Sequence, residues 1–147
     1  MIAGDLIRET RRAVLARLKA DGALVKLVPA ERIYPSTVPA TPMFPFGRFV
    51  APLSVPLDGA CFRGGTVTFT YHFFAKPRFV GRAQVQTAED LCARLLSVAK
   101  ACLHNQRLPL DVGGARLRVQ SSRLIRDFDE ADVCHGILSV EARAIVS

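Results

Sequence analysis

The residues of this chain best suited to chemistry are three histidines, His72, His104 and His135, and four cysteines, Cys61, Cys92, Cys102 and Cys134. A histidine within reach of a thiol or hydroxyl supports nucleophilic catalysis, and three or four such side chains at short spacing hold zinc. Cys134-His135 lies in a stretch that alternates like a strand. Neighbouring strand side chains point to opposite faces, so the pair does not share a proton or a metal. The sequence contains no Cys-x-x-Cys and no His-Glu-x-x-His. His72 falls among threonines on the polar side of a predicted strand and reads as an exposed sheet histidine. His104 closes a predicted helix, where a positive charge favours the dipole. Arg63-Gly64-Gly65 and Val112-Gly113-Gly114 lack the Gly-Lys-Ser/Thr ending of a phosphate loop. Asp127, Asp129, Glu130 and Asp132 form an acidic turn without the glycine and terminal glutamate of a calcium loop. The expectation is no catalytic residue, no metal site and no cofactor.

The elements around these residues are easier to read. Apolar spacing predicts a first helix from about Asp5 to Lys19, with Asp5 as N-cap and an apolar stripe of Leu6, Ile7, Val14, Leu15 and Leu18. Thr10 and Ala13 lie beside the stripe, and Arg8, Arg11, Arg12, Arg17 and Lys19 fill much of the remaining surface. Asp21-Gly22 stops this helix, and Ala23 to Leu27 adds another turn before Pro29. Arg32-Ile33-Tyr34 is a short extended piece. Pro35, Pro39, Pro42 and Pro45 then recur every three or four residues, which excludes a central strand and favours a loop or arm, at about 35–56. Val38, Met43 and Phe44 in that arm either cover the domain's own core or meet a neighbour.

Phe46 to Val55 reads as a strand, with Pro52 and Pro56 marking an edge or a bulge. Thr66 to Ala75 is the strongest strand, with Val67, Phe69, Tyr71 and Phe73 on one face and Thr66, Thr68, Thr70 and His72 on the other. Arg78 to Gln84 reads as a basic loop. A second helix runs from the N-cap Thr87 to about His104, with Ala88, Leu91, Cys92, Leu95, Ala99, Cys102 and Leu103 at helical spacing. Gly113-Gly114 is a tight turn. Ala115 to Ile125 alternates Leu117, Val119 and Ser121 against Arg116, Arg118 and Gln120. The last strand, Val133 to Val146, sets Cys134, Gly136, Leu138, Val140, Ala142 and Ala144 on one side.

With 147 residues and no internal linker or repeat, the chain fits one domain, 1–147, large enough to bury a core without staples. The four cysteines are expected to be reduced and mostly buried. Cys92 and Cys102 share one helix, about 15 Å apart at the helical rise, beyond disulfide reach. A net charge of +7 suits an anionic partner, nucleic acid or an acidic protein surface, or simply solvates a basic surface. No helix-turn-helix, zinc finger or aromatic RNA platform accompanies the charge, so only non-specific phosphate contact would follow from it. No run reaches the eighteen or so apolar residues that cross a bilayer, and Met1-Ile2-Ala3-Gly4-Asp5 does not open like a signal peptide. The expectation is a cytoplasmic protein with no membrane partner.

The order of the elements resembles the tail-completion, or tail-terminator, proteins of long-tailed phages with flexible tails, of prophages and of gene transfer agents. The resemblance covers nearly the whole chain. It is carried by the N-terminal helix, Ala23-Leu24-Val25-Lys26-Leu27-Val28, Glu31-Arg32-Ile33-Tyr34-Pro35, the Pro-rich passage leading to Leu57-Asp58-Gly59, and Thr68-Phe69-Thr70-Tyr71-His72-Phe73-Phe74-Ala75. The helix Thr87–His104, the strand near Leu117–Arg126, the acidic turn and the final strand follow in the family's order. Pro42–Pro56 departs from it, being longer and more apolar than the family's passage. The resemblance implies an α+β fold, lambda-tail-terminator-like, with two main helices packed on a mixed, mainly antiparallel sheet. It implies a homo-hexameric ring that caps the head-proximal end of the tail tube, ends tube polymerisation and presents a surface to the head connector. The implied partners are the chain itself, the tail tube protein and the head-completion connector, with transient passage of DNA through the ring. The implied location is the virion tail, assembled in the bacterial cytoplasm. In a ring, the candidate contact residues are Met43, Phe44, Phe46, Lys76, Arg78, Arg82, Arg8 and Arg12. Another connector or tail-tube ring subunit is the alternative, and a small non-specific nucleic-acid-binding protein a third reading.

Overall fold

The computed structural model describes residues 3–57, 59, 63–111, 113–126 and 132–146, with side chains placed between 6 and 145. Cys61, and Asp127, Asp129 and Glu130 of the acidic turn, lie outside the described residues. Two helices, α1 (Ala3–Ala20) and α3 (Ala88–Leu103), pack on one face of a six-stranded sheet. A single turn, α2 (Gly22–Val25), follows α1. The strands are β1 (Ile33–Tyr34), β2 (Phe46–Pro56), β3 (Arg63–Ala75), β6 (Arg107–Leu110), β7 (Gly113–Arg126) and β8 (Cys134–Val146), in the order β1-β2-β3-β8-β7-β6. Strand β1 runs parallel to β2 and all other pairings are antiparallel, so the sheet is mixed and mainly antiparallel, as expected. Between β3 and α3 stands a separate hairpin of β4 (Arg78–Val80) and β5 (Ala83–Gln86).

Helix α3 forms where its signals predict. Thr87 caps it by accepting from the Asp90 backbone N–H at 3.1 Å, and Glu89 and Asp90 occupy the positive first turn. Leu91, Cys92, Leu95, Leu96, Ala99, Cys102 and Leu103 are buried on the sheet. It ends at Asn105, whose φ of 58° is the left-handed conformation that closes helices. Helix α1 begins at Ala3, which puts Asp5 inside its first turn rather than at its cap. Leu6, Thr10, Val14 and Leu18 are buried along it. Asp21 caps the next turn instead, accepting from the Ala23 N–H at 3.2 Å.

The core lies between these helices and the inner sheet face. Strand β3 contributes Val67, Phe69, Tyr71, Phe73 and Ala75, and β8 contributes Cys134, Leu138, Val140, Ala142 and Ala144. Phe49 stacks on Phe69 with ring centres 4.4 Å apart. Gly136 on β8 lets α3 come close: a Cβ there would sit 3.1 Å from Cys92 Sγ and from Leu96.

Two of the sequence expectations need correction. Strand β7 carries a bulge between Val119 and Ser121. One extra residue reverses the alternation, so Ser121 leaves the face of Leu117 and Val119 and joins Arg123 and Ile125 on the outer one. The basic loop Arg78–Gln84 is instead the β4–β5 hairpin. Gly81, at φ 63°, supplies the left-handed first position that two-residue hairpin turns require. Strand β2 carries the bulge its prolines suggest, between Val50 and Leu53, with Ala51 at φ 50°. The irregular part of the proline-rich passage ends at Pro45.

Packing sets a clear contrast for mutation. Leu95, fully buried between α3 and the sheet, and Leu53, 60% exposed on β2, differ only in environment. Leu95→Ala is expected to lower unfolding free energy by about 3 kcal/mol in a urea titration, and Leu53→Ala by less than about 0.5 kcal/mol.

Candidate functional site

The described thiols, Cys92, Cys102 and Cys134, belong to the core. Cys92 Sγ donates to the carbonyls of Phe73 and Cys134 at 3.6 and 3.5 Å, and Cys102 Sγ donates to the Arg17 carbonyl at 3.6 Å. Burial pushes the Cys102 thiol up to about 11 and raises Cys92 and Cys134 as well. A thiol that stays protonated at neutral pH is a poor nucleophile and a poor metal ligand. Cys134 and His135 point to opposite faces, the first buried against α3, the second on the outer face. No three His, Cys, Asp or Glu side chains converge among the described residues.

His72 differs from the sequence expectation. It is half-buried rather than exposed. Its Nδ1 lies 2.6 Å from His135 Nε2, and its Nε2 lies 2.8 Å from Thr70 Oγ1. Register explains the meeting: Phe74 pairs with His135 and His72 with Ile137, so the two rings are diagonal neighbours on the outer face. No sequence spacing shows this, because 63 positions separate the two residues. Burial first, then the neighbouring charges of His135, Arg48 and Arg123, pulls His72 down to about 4. His104 closes α3 as expected and makes a further contact with the sheet. Its Nδ1 accepts the Val119 backbone N–H at 3.0 Å, beside the β7 bulge. His104 thereby satisfies a strand donor from the end of the helix.

A run of rings continues from the histidine pair across the outer face. His135 stacks on Phe74 at 4.2 Å, Phe74 on Phe46 at 4.8 Å, and Phe46 meets Phe44 edge-on at 5.1 Å. Lys76 Nζ sits 4.5 Å from the Phe44 ring centre. Arg32 holds the same passage by donating to the Phe44 carbonyl at 3.2 Å. The proline-rich passage is thus fastened to its own sheet: Phe46 is buried, Phe44 half-buried, and Met43 is 66% exposed.

The other candidate contact residues are dispersed. Arg12 is tied within the subunit, to Asp111 at 2.7 Å and Glu9 at 3.3 Å, and Arg12 holds Asp111 below the usual carboxylate range. Arg8 is exposed one turn earlier. Arg78 approaches Gln86 at 3.5 Å across the hairpin, and Arg82 is exposed in its turn. The structure gathers Met43, Phe44, Phe46 and Lys76 at one place, and Arg78 and Arg82 on the hairpin. It leaves Arg8 and Arg12 on α1. The sequence reading passed over the apolar half of the hairpin: Phe79, Val80 and Val85 are 58%, 70% and 56% exposed. Apolar residues on both sides of Gly81 were the available signal.

Comparison with known proteins agrees with this architecture. The family model described as tail completion protein gp17 matches residues 12–145. Among solved structures, a chain of the "Virion of native gene transfer agent (GTA) particle" shares the fold with a TM-score of 0.74 at 18% identity. The match covers 95% of this chain and 97% of that one. No curated protein matches.

The histidine pair gives the fold a pH dependence with a defined sign. The unfolded chain protonates His72 near its ordinary 6.5, the folded chain only near 4. Stability is therefore complete above about pH 6.5 and falls as pH drops to about 4. Allowing for solvent screening of a half-buried ring, the loss is about 1–2 kcal/mol. Urea titrations at pH 7.5 and 4.5 are expected to show it, and His72→Gln to remove that part of the difference.

Proposed function

The chain belongs to the tail completion protein gp17 family, and from that membership we propose that it forms a homo-hexameric ring capping the head-proximal end of a tail tube. It is a structural tail protein of a phage or phage-like particle, and the proposed ring ends tube polymerisation and joins the tail to the head connector. The tube protein would lie on one side, the head-completion protein on the other, and DNA would pass through during transfer. Assembly would take place in the bacterial cytoplasm before the tail joins the head.

The observation that carries this reading is the β4–β5 hairpin. It leaves Phe79, Val80 and Val85 exposed, apart from the core, on a hairpin that also carries basic Arg78 and Arg82. Adjacent apolar side chains left in water mark a surface that a neighbour covers. Two long strands also end unpaired. On its outer edge, strand β2 is held only from Gly47 to Phe49, by β1 and the Pro35 carbonyl, and β7 only from Gly113 to Val119, by β6 and residues 104–106. A cyclic ring uses two different faces of each subunit, and a projecting hairpin on one side with open strand edges on both is suited to that arrangement. Met43, Phe44 and Lys76 form a second candidate contact beside the stacked rings. Arg8 and the α1 surface form a third. Phe46 and Arg12 would support these contacts from within the subunit.

Light scattering after size exclusion tests the assembly. The expected species is six times the 16.0 kDa chain, alone or once tube protein is added. Open-ended polymers of the pure protein would identify a tube subunit instead. Phe79→Asp with Val80→Asp is expected to reduce the ring fraction about tenfold or more, since each buried side chain of this size contributes about 1.5–3 kcal/mol. Unchanged rings in that variant, with native circular dichroism, would remove the hairpin from the interface.

A further inference from the structure

The outer sheet face ends in a concavity of 1210 Å³ over β6, β7 and β8, away from the stacked rings. Its floor has an unusual charge arrangement. Arg107 pairs in register with Arg116, and Arg116 with Arg143, so three arginines stand directly opposite one another on three adjacent strands. Neighbouring strands lie about 4.8 Å apart, which keeps the three stems within mutual repulsion. Like charges in directly opposed positions destabilise a sheet. Arg118 adds a fourth positive charge on the same floor. Two carboxylates line the concavity: Asp111, held by Arg12 at 2.7 Å, and Glu141, which faces Arg118 in register, lies 3.9 Å from Arg143 and accepts from Gln120 at 3.0 Å. No carboxylate pairs with Arg107 or Arg116 among the described residues.

We propose that this arginine ladder is a docking groove for an acidic segment of a different protein, its carboxylates meeting the guanidinium forks. The inference stands on the sheet alone and does not depend on the ring. Arginine's planar fork takes a carboxylate or a phosphate in two parallel hydrogen bonds. Two observations favour carboxylate. Glu141 sits inside the ladder, where a continuous phosphate backbone, with its closely spaced charges, would run against it. No Phe or Tyr lines the concavity, so it lacks the stacking platform that holds single strands. A second copy of this chain carries a net +7 and offers acidic side chains chiefly at its turn Asp127–Asp132, an occupant that the self-association measurement below separates. An acidic segment of another protein supplies the charge the ladder lacks.

The test uses the full chain and a fluorescein-labelled poly-glutamate peptide, read by fluorescence anisotropy at low salt. Arg107→Gln, Arg116→Gln and Arg143→Gln combined are expected to weaken binding about tenfold or more. Arg94→Gln, on the solvent side of α3, removes a charge elsewhere and is expected to change it less than about twofold. The combined variant is also expected to unfold at the same or a higher temperature, because it relieves repulsion. Equal losses from the control and the ladder variant would reduce the effect to net charge and overturn the proposal. So would a lowered unfolding temperature in the ladder variant, which would make the arginines part of the fold. Tighter binding of a short DNA duplex than of the peptide, lost in the same variant, would assign the groove to phosphate. Self-association lost in the ladder variant alone would assign it to a second copy.

Discussion

The pairing of β3 with β8 is the constraint on which the rest depends. Every residue from Arg63 to Ala75 has a partner between Val146 and Cys134, without a break in register. Both strands alternate strictly, so one face of the pair is Val67, Phe69, Tyr71, Phe73, Leu138, Val140, Ala142 and Ala144. That apolar face requires cover, and α3 and α1 supply it. A slip of one residue in this ladder would turn the whole set to solvent. The long, unbroken register therefore fixes which side of the molecule is core and which is free to meet other proteins.

The flanking strands are built differently, and the surface features come from them. Both β2 and β7 take a one-residue bulge, and the two bulges lie at the same height: Val50 is opposite Thr70, Thr70 opposite Ser139, and Ser139 opposite Ser121. Bulges bend a strand and increase its twist. Aligned on both sides of a regular pair, they place a crease across the sheet. On one side of the crease lie the histidine pair and the stacked phenylalanines, and on the other the arginine-lined concavity. The outer face thus carries two unlike surfaces, one aromatic and partly buried, one cationic and open.

Much of the scaffold was legible in the sequence because it rests on local signals. Thr87, Glu89 and Asp90 announce α3. The strict alternation from Val67 to Phe73 announces β3, and the prolines at 52 and 56 announce the irregularity in β2. The surface was less legible because it depends on register. Val119 and Ser121 read as one face until the bulge separates them. His72 and His135 meet only through a diagonal across two strands, and Arg107, Arg116 and Arg143 align only once three strands are paired. The hairpin was hidden for another reason. Its basic ends looked like a solvated loop, and the glycine that makes it a turn is a single residue. Among the interface candidates, the sequence left open whether Met43 covers its own core or faces outward, and the structure leaves it exposed. The sequence could not reveal that Phe46 is covered by its own chain or that Arg12 is held by Asp111.

The central pair also has a consequence for the order of events during synthesis. Strand β8 is the last of the described elements to leave the ribosome, yet it occupies the middle of the sheet. Its partner β3 emerges much earlier and is separated from it by the hairpin, α3, β6 and β7. Contacts so distant along the chain form late, after the cost of closing a long loop has been met. Until β8 arrives, α3 has no complete floor to pack on, and the inner faces of β3 and β7 lack the strand between them. A chain cut short before Cys134 would therefore have neither a core nor an ordered outer face. Competence to assemble comes all at once, with the final strand.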